Sequence, residues 1–150
     1  MKIISQNPEE TQALAGRFAH EIILEYSEKK QDRALVVGLY GDLGSGKTAF
    51  VQGLARAFLV KENVISPTFI IQKKYLINKK EVPFEYLIHI DTYRLEGGHE
   101  MEHIKWNELI SDPKNLIVME WASRVEDVMP EYTKRIFFTF IDESKREIEW

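Results

Sequence analysis

The chain contains no cysteine. That excludes a disulfide framework and thiolate chemistry, and it fits a reducing compartment. It also lacks an excess of positive charge: 20 Lys and Arg face 24 Asp and Glu, a net charge of −4. Proteins that live on nucleic acid or anionic membranes do so through basic patches, so the charge balance argues against that class without excluding contact with a nucleic acid through a partner. No apolar run approaches the ~20 residues that span a bilayer. The opening "MKIISQNPEE" turns acidic too early for a secretory signal. The expected location is therefore the cytoplasm. Linkers, internal repeats and low-complexity tracts are missing too.

What is present is the makeup of an ordinary globular protein: 44% apolar and 29% charged residues over 150 positions, expected to form one domain spanning 1–150. Near the start, Asn7 can cap a helix, Pro8 suits its first position and Glu10 stands where a capping box needs it. Leu14, Phe18 and Ile22 then mark an apolar stripe. "ALVVGLY" (34–40) reads as a buried strand and "KTAFVQGLARAFL" (47–59) as a helix with Phe50, Val51, Leu54 and Phe58 on one side. "TFIIQKKYLI" and "VPFEYLIHID" read as two strands joined by a hairpin turn at "NKKE". "EMEHIKWNELI" reads as a helix after Gly97–Gly98, and "NLIVMEW" (115–121) as another buried strand. "KRIFFTFID" and "REIEW" form a final hairpin. Strands separated by helices, with hairpins added, predict an α/β protein with a mixed sheet.

Residues 41–48 read "GDLGSGKT", matching G-x4-G-K-[ST]. The glycines let successive backbone N–H groups turn toward phosphate oxygens, and the helix opening near Lys47 adds the positive end of its dipole. In this pattern the lysine reaches the β- and γ-phosphates, and the Thr48 hydroxyl ligates Mg²⁺. The loop follows a buried strand and opens a helix, as the chemistry requires. Gly41, Asp42, Leu43, Gly44, Ser45, Gly46, Lys47, Thr48 and Ala49 are thus the expected nucleotide-binding set. The expected architecture is a P-loop NTPase-like three-layer α/β fold, with a mixed, mainly parallel central sheet and added antiparallel hairpins.

Phosphoryl chemistry also needs a carboxylate for the metal and a group to orient the attacking water. Glu120 ends the apolar run "LIVM" and Asp91 ends "YLIHI". Their positions alone leave open which of them binds metal. Ser66 and Thr68 in "SPTF" either present hydroxyls to the γ-phosphate or its water, or form a Ser-Pro turn.

"GDLGSGKT", "SPTF", "HIDTYRL" and "VMEW", in this order and at these intervals, resemble the bacterial TsaE family (older name YjeE). These are small P-loop ATPases serving the threonylcarbamoyladenosine modification of tRNA. The resemblance runs from about Asn7 to about Pro130. It implies that Lys47 and Thr48 hold phosphate and Mg²⁺, that Glu120 is the second protein ligand to Mg²⁺, and that Asp91 orients or deprotonates water. Trp121, and Thr68 in the "SPTF" loop, would line the site and affect activity. ATP and Mg²⁺ are the implied cofactors. TsaB and TsaD are the implied partners, with tRNA met indirectly through the complex. TsaD transfers the threonylcarbamoyl group, and the ATPase resets or activates the assembly. One stretch departs from the family: a segment of the type "DPEELEFMG" after "YRL" is replaced by "EGGHEMEHIKWNEL".

Other residues read more plainly. Trp121, by its place beside a buried strand, reads as core, and His89 as a hydrogen-bonded structural imidazole. Arg94 and Arg124 read as surface arginines, with an internal arginine finger as the alternative. Lys73–Lys74 and Lys79–Lys80 read as solvated edge charges. A small-molecule kinase is the alternative function, although no Arg-rich lid is visible. A GTP switch would need N-K-x-D, and Asn78-Lys79-Lys80-Glu81 ends in the wrong residue and lies in the wrong place. His99-Glu100-x-x-His103 matches a zinc-peptidase helix. It begins at the frayed start of a helix, and its conceivable third ligand, Glu120, is already wanted at the phosphate site.

Overall fold

The computed structural model describes residues 1–66 and 71–150. Seven strands form one sheet: β1 (Lys2–Ser5), β2 (Leu35–Tyr40), β3 (Gln72–Leu76), β4 (Tyr86–Asp91), β5 (Asn115–Glu120), β6 (Lys134–Phe140) and β7 (Arg146–Glu149), in the order β1-β7-β6-β2-β5-β4-β3. The four middle strands, β6, β2, β5 and β4, run parallel. The flanking pairings β3–β4, β6–β7 and β1–β7 are antiparallel. The expected mixed sheet with antiparallel additions is thus the one observed.

Helices α1 (Pro8–Ser27) and α2 (Lys47–Ala57) cover one face, where Leu35, Val37, Leu39, Leu116 and Val118 meet Leu14, Phe18, Phe50 and Leu54. The intervening residues Val36, Ile117 and Met119 point the other way, onto Met101, Trp106 and Val125. This alternation is the strand's two-residue period. It explains why β2 and β5 read as continuous apolar runs: both of their faces are buried. The second cover is built from a 3₁₀ helix (Gly98–Ile104), the short α3 (Trp106–Ser111) and an irregular 3₁₀ stretch (Ala122–Val128).

The start of α1 follows its sequence signals. Asn7 Oδ1 accepts from the Glu10 amide at 2.8 Å, Pro8 takes the first turn, and the Glu10 carboxylate accepts from the Gln6 amide at 2.7 Å. The helix packs closely on α2 because residue 53 is glycine. A Cβ there would lie 2.4 Å from the Gln12 carbonyl oxygen and 2.6 Å from its Cα.

Two expectations need correction. The segment 100–110 is not one helix. The 3₁₀ turn ends at Lys105, whose φ of 56° breaks the chain before α3 begins at Trp106. The β3–β4 hairpin exists, but its connection runs from 77 to 85 and is not a tight "NKKE" turn. Asn78 and Lys79 amides both donate to the Phe58 carbonyl at 3.2 Å, so the connection is drawn onto the end of α2. The start of the expected "TFIIQKKYLI" strand lies partly outside the described residues, and β3 itself begins at Gln72. Strand β1, absent from the sequence-based expectation, pairs with β7 in register Lys2↔Glu149.

Candidate functional site

Strands β2, β4 and β5 end side by side, with Asp91 opposite Glu120 and Leu39 opposite Glu120 on its other side. In open α/β sheets the carboxyl ends of parallel strands border the ligand crevice. Here they border a cavity of about 480 Å³, floored by residues 43–49 and walled by Ser66, Asp91, Tyr93, Arg94, Glu120 and Trp121.

The loop between β2 and α2 depends on glycine. Gly41, Gly44 and Gly46 have φ of 155°, 74° and 99°, values that L side chains rarely adopt. At Gly41 a Cβ would also sit 2.5 Å from the Phe138 carbonyl oxygen. Gly46 begins α2 with no side chain capping the helix, which leaves the dipole's positive end toward the cavity.

Lys47 is 4% exposed. Its ammonium donates to the carbonyls of Gly41 (2.6 Å) and Asp42 (2.8 Å) and to Ser45 Oγ (3.2 Å), and it lies 4.2 Å from the centre of the Trp121 ring. Burial pushes it below the ordinary lysine pKa, against the pull of Glu120, Asp91 and Asp42. The loop thus concentrates a poorly hydrated cation beside open space, a setting that favours an anion.

Thr48 Oγ1 donates to Glu120 Oε1 at 2.8 Å, and the other carboxylate oxygen, Oε2, is 2.6 Å from His89 Nε2. Glu120 is 3% exposed and His89 fully buried. Asp91 is held differently: Oδ2 accepts from Ser66 Oγ at 2.7 Å and Oδ1 from the Tyr93 amide at 2.9 Å. Thr92 ties the ends of β4 and β5 together, its hydroxyl donating to the carbonyls of Glu120 (3.1 Å) and Trp121 (2.7 Å). Trp121 adopts a left-handed φ of 59° immediately after β5. That turns its ring beside Tyr93, with centroids 4.9 Å apart.

Lys47, Thr48, Asp91, Glu120, Trp121 and the loop residues are therefore brought together as the sequence predicted. Thr68 lies outside the described residues. The expected core role for Trp121 gives way to a place in the cavity wall, between the Lys47 ammonium and the Arg124 guanidinium (5.7 Å). The hydroxyl of Thr48 and the Oε1 of Glu120, 2.8 Å apart at the cavity, form a hard-oxygen pair that suits Mg²⁺. His99 and His103 find no such company. Among the described residues no three His, Cys, Asp or Glu side chains converge to hold a metal. The 3₁₀ geometry of Gly98–Ile104 also rotates i and i+4 onto different faces.

The match to known proteins agrees with this geometry. Residues 5–148 match the family model "Threonylcarbamoyl adenosine biosynthesis protein TsaE". The chain belongs to the TsaE family. A TsaE protein of Bacillus subtilis is 35% identical over 142 residues, covering 95% of this chain and 79% of the relative. One from Rickettsia felis is 31% identical over 145 residues, covering 96% and 75%. A crystal structure of Bacillus subtilis YdiB superposes with a TM-score of 0.70 at 27% identity, covering 99% of this chain and 82% of that one.

One residue at this cavity lies outside the expectations drawn from the sequence. Arg146, on β7, donates from Nε to the Gly44 carbonyl at 2.8 Å, bracing the tip of the loop from the far end of the chain. No spacing rule links positions 44 and 146. His89 is the hydrogen-bonded structural imidazole expected of it, and the structure adds the identity of its partner, Glu120. The signal of His89 was the two-residue step to Asp91, which places both side chains on one face of β4.

Proposed function

We propose that this chain binds ATP with Mg²⁺ and hydrolyses it in support of threonylcarbamoyladenosine formation on tRNA, acting with TsaB and TsaD. The observation that carries the nucleotide reading is the pairing of Thr48 with Glu120 at 2.8 Å, beside a 4%-exposed lysine at the mouth of a glycine loop. The names of the relatives support the pathway.

The residues divide the work. The Lys47 ammonium exchanges its loop carbonyls for phosphate oxygens, so the loop opens as ligand enters. Backbone N–H groups at the start of α2 add donors and a favourable dipole. Thr48 and Glu120 would hold Mg²⁺. Held there, the ion would supply positive charge to offset that of the phosphates. Asp91, already fixed through one oxygen by the Tyr93 amide, orients the attacking water and takes up its proton at Oδ2, the oxygen now occupied by Ser66. Trp121 and Tyr93 wall the cavity and limit water. Slow turnover by the isolated chain is expected, because a partner completes the site.

Calorimetric titration with ATP, with and without Mg²⁺, tests the reading, together with phosphate release in the presence and absence of the two partners. Glu120→Ala is expected to lose hydrolysis by roughly 100-fold while retaining more of its nucleotide binding. Normal turnover by that variant would remove Glu120 from the metal site. Faster phosphoryl transfer to a metabolite than to water would replace the ATPase with a kinase.

A further inference from the structure

Glu120 is the one carboxylate at this site held by a buried imidazole. Its Oε2 is 2.6 Å from His89 Nε2, while Oε1 receives the Thr48 hydroxyl. A glutamate's terminal torsion is broad and nearly two-fold, so a carboxylate held through one oxygen alone would turn freely between orientations. The second contact removes that freedom. It also offsets part of the cost of keeping a carboxylate 3% exposed.

The protonation pattern follows from the surroundings. Nδ1 of His89 is buried and has no hydrogen-bond partner among the described residues. An orphaned N–H there would cost more than an orphaned lone pair. The hydrogen-bond network therefore assigns the proton to Nε2, which donates to Oε2. The sheet fixes the rest. Asp91 pairs with Glu120 and His89 with Val118 across β4 and β5, so the imidazole approaches the carboxylate from two residues behind it, on the side away from the cavity. His89 is absent from the cavity wall, whereas Glu120 and Thr48 are part of it. The neighbouring inward positions on this face, Leu87 and Val118, are apolar. An apolar residue at 89 would fill the space without the desolvation that an imidazole brings.

We propose that His89 is a positioning residue for the metal-binding carboxylate: its Nε2–H pins Oε2 of Glu120, so that Oε1 faces Thr48 and the nucleotide cavity. The inference rests on the Mg²⁺–nucleotide reading given above, and it assigns no contact between His89 and the nucleotide.

The test uses ADP, so that no turnover enters the readout. ADP affinity of the full chain is measured in EDTA and across a Mg²⁺ titration, for wild type, His89→Leu and His89→Gln. Removing an outer partner of a metal ligand costs about 10–100-fold in metal affinity. His89→Leu is therefore expected to need about 10–100-fold more Mg²⁺ for the same gain in ADP affinity, with its EDTA affinity within about 2-fold of wild type. His89→Gln carries an amide N–H near the place of Nε2, and it is expected to restore the Mg²⁺ requirement to within about 3-fold of wild type. Melting curves verify that the variants are folded. If His89→Leu does not fold, His89→Asn replaces it, since its shorter amide does not reach Glu120. A wild-type Mg²⁺ requirement in the Leu or Asn variant overturns the proposal, and so does equal impairment of the Gln variant, which would mean packing alone. Failure of the wild-type protein to bind ADP, or to gain affinity from Mg²⁺, would be a different result. It would overturn the nucleotide reading, and this inference with it.

Discussion

The glycine loop 41–48 and the segment His99–His103 are both short matches to well-known chemical signatures, and both sit close to chain turns. Their surroundings separate them. The loop receives Glu120 from β5, Trp121 from just past that strand, Asp91 from β4 and Arg146 from β7, all within one cavity wall or one hydrogen bond of it. Among the described residues the histidine segment receives no such set of partners. Its glycine start is pressed against Asp127, which accepts from the Gly98 amide at 3.1 Å, and its far end is cut off by Lys105. A motif becomes a site when strands remote in sequence deliver partners to it. The sheet does this at the carboxyl ends of β2, β4 and β5, and not at the 3₁₀ cover.

The strongest way to break this contrast is at Lys47. Lys47→Ala removes a charged donor facing the cavity and is expected to weaken ATP binding by at least ~100-fold, or about 3 kcal/mol, by titration calorimetry. His99→Ala should leave that affinity unchanged. If the two variants behaved alike, the contrast would collapse.

A smaller effect is expected where the loop's helix is seated. Gly53→Ala forces a methyl against the Gln12 backbone and should destabilise the fold by about 1–3 kcal/mol in urea unfolding. An unchanged midpoint would mean that the α1–α2 contact adjusts more easily than its geometry implies.

Acid sharpens the comparison on the 3₁₀ side. Burial pushes the Glu126 carboxyl up, but hydrogen bonds from Tyr40 (2.6 Å) and Arg135 (2.7 Å) outweigh it and hold the group below the usual glutamate value. A carboxyl so held adds stability above its unfolded pKa and loses that contribution as pH falls through the folded one. Tyr40→Phe should therefore lower the melting temperature slightly at neutral pH, and the gap to wild type should close in acid. A gap that persists unchanged at low pH would assign the tyrosine's effect to packing on Phe137, whose ring is 5.2 Å away.

The smallest effect is expected at His103→Ala, within about 0.5 kcal/mol of wild-type stability and with no change in tightly bound metal by elemental analysis. Stoichiometric zinc lost on that substitution would restore the peptidase reading.

The parts of the fold that sequence reveals are those with local causes. Asn7, Pro8 and Glu10 announce α1 because capping acts within one turn. The β2–loop–α2 unit is legible because its glycines, lysine and flanking apolar runs are contiguous. What lay hidden depends on distant neighbours. β1 is four residues long and owes its strand to β7, at the other end of the chain. The break at Lys105 comes from a backbone angle that its residue type does not advertise. Their places at strand ends single out Asp91 and Glu120, but only the parallel pairing of β4 and β5 sets them opposite each other. Arg146 carried no linear signal, and the signal of His89, its two-residue step to Asp91, does not name Glu120 as its partner.

The bond from Arg146 to Gly44 has a consequence for the order in which the protein is made. The two residues are 102 positions apart, and the wall that shapes Gly41 comes from Phe138 on the neighbouring late strand. A nascent chain emerging from the ribosome therefore carries the complete glycine loop long before it carries the loop's supports. The loop is made early and braced late, with the β6–β7 hairpin acting as its clasp.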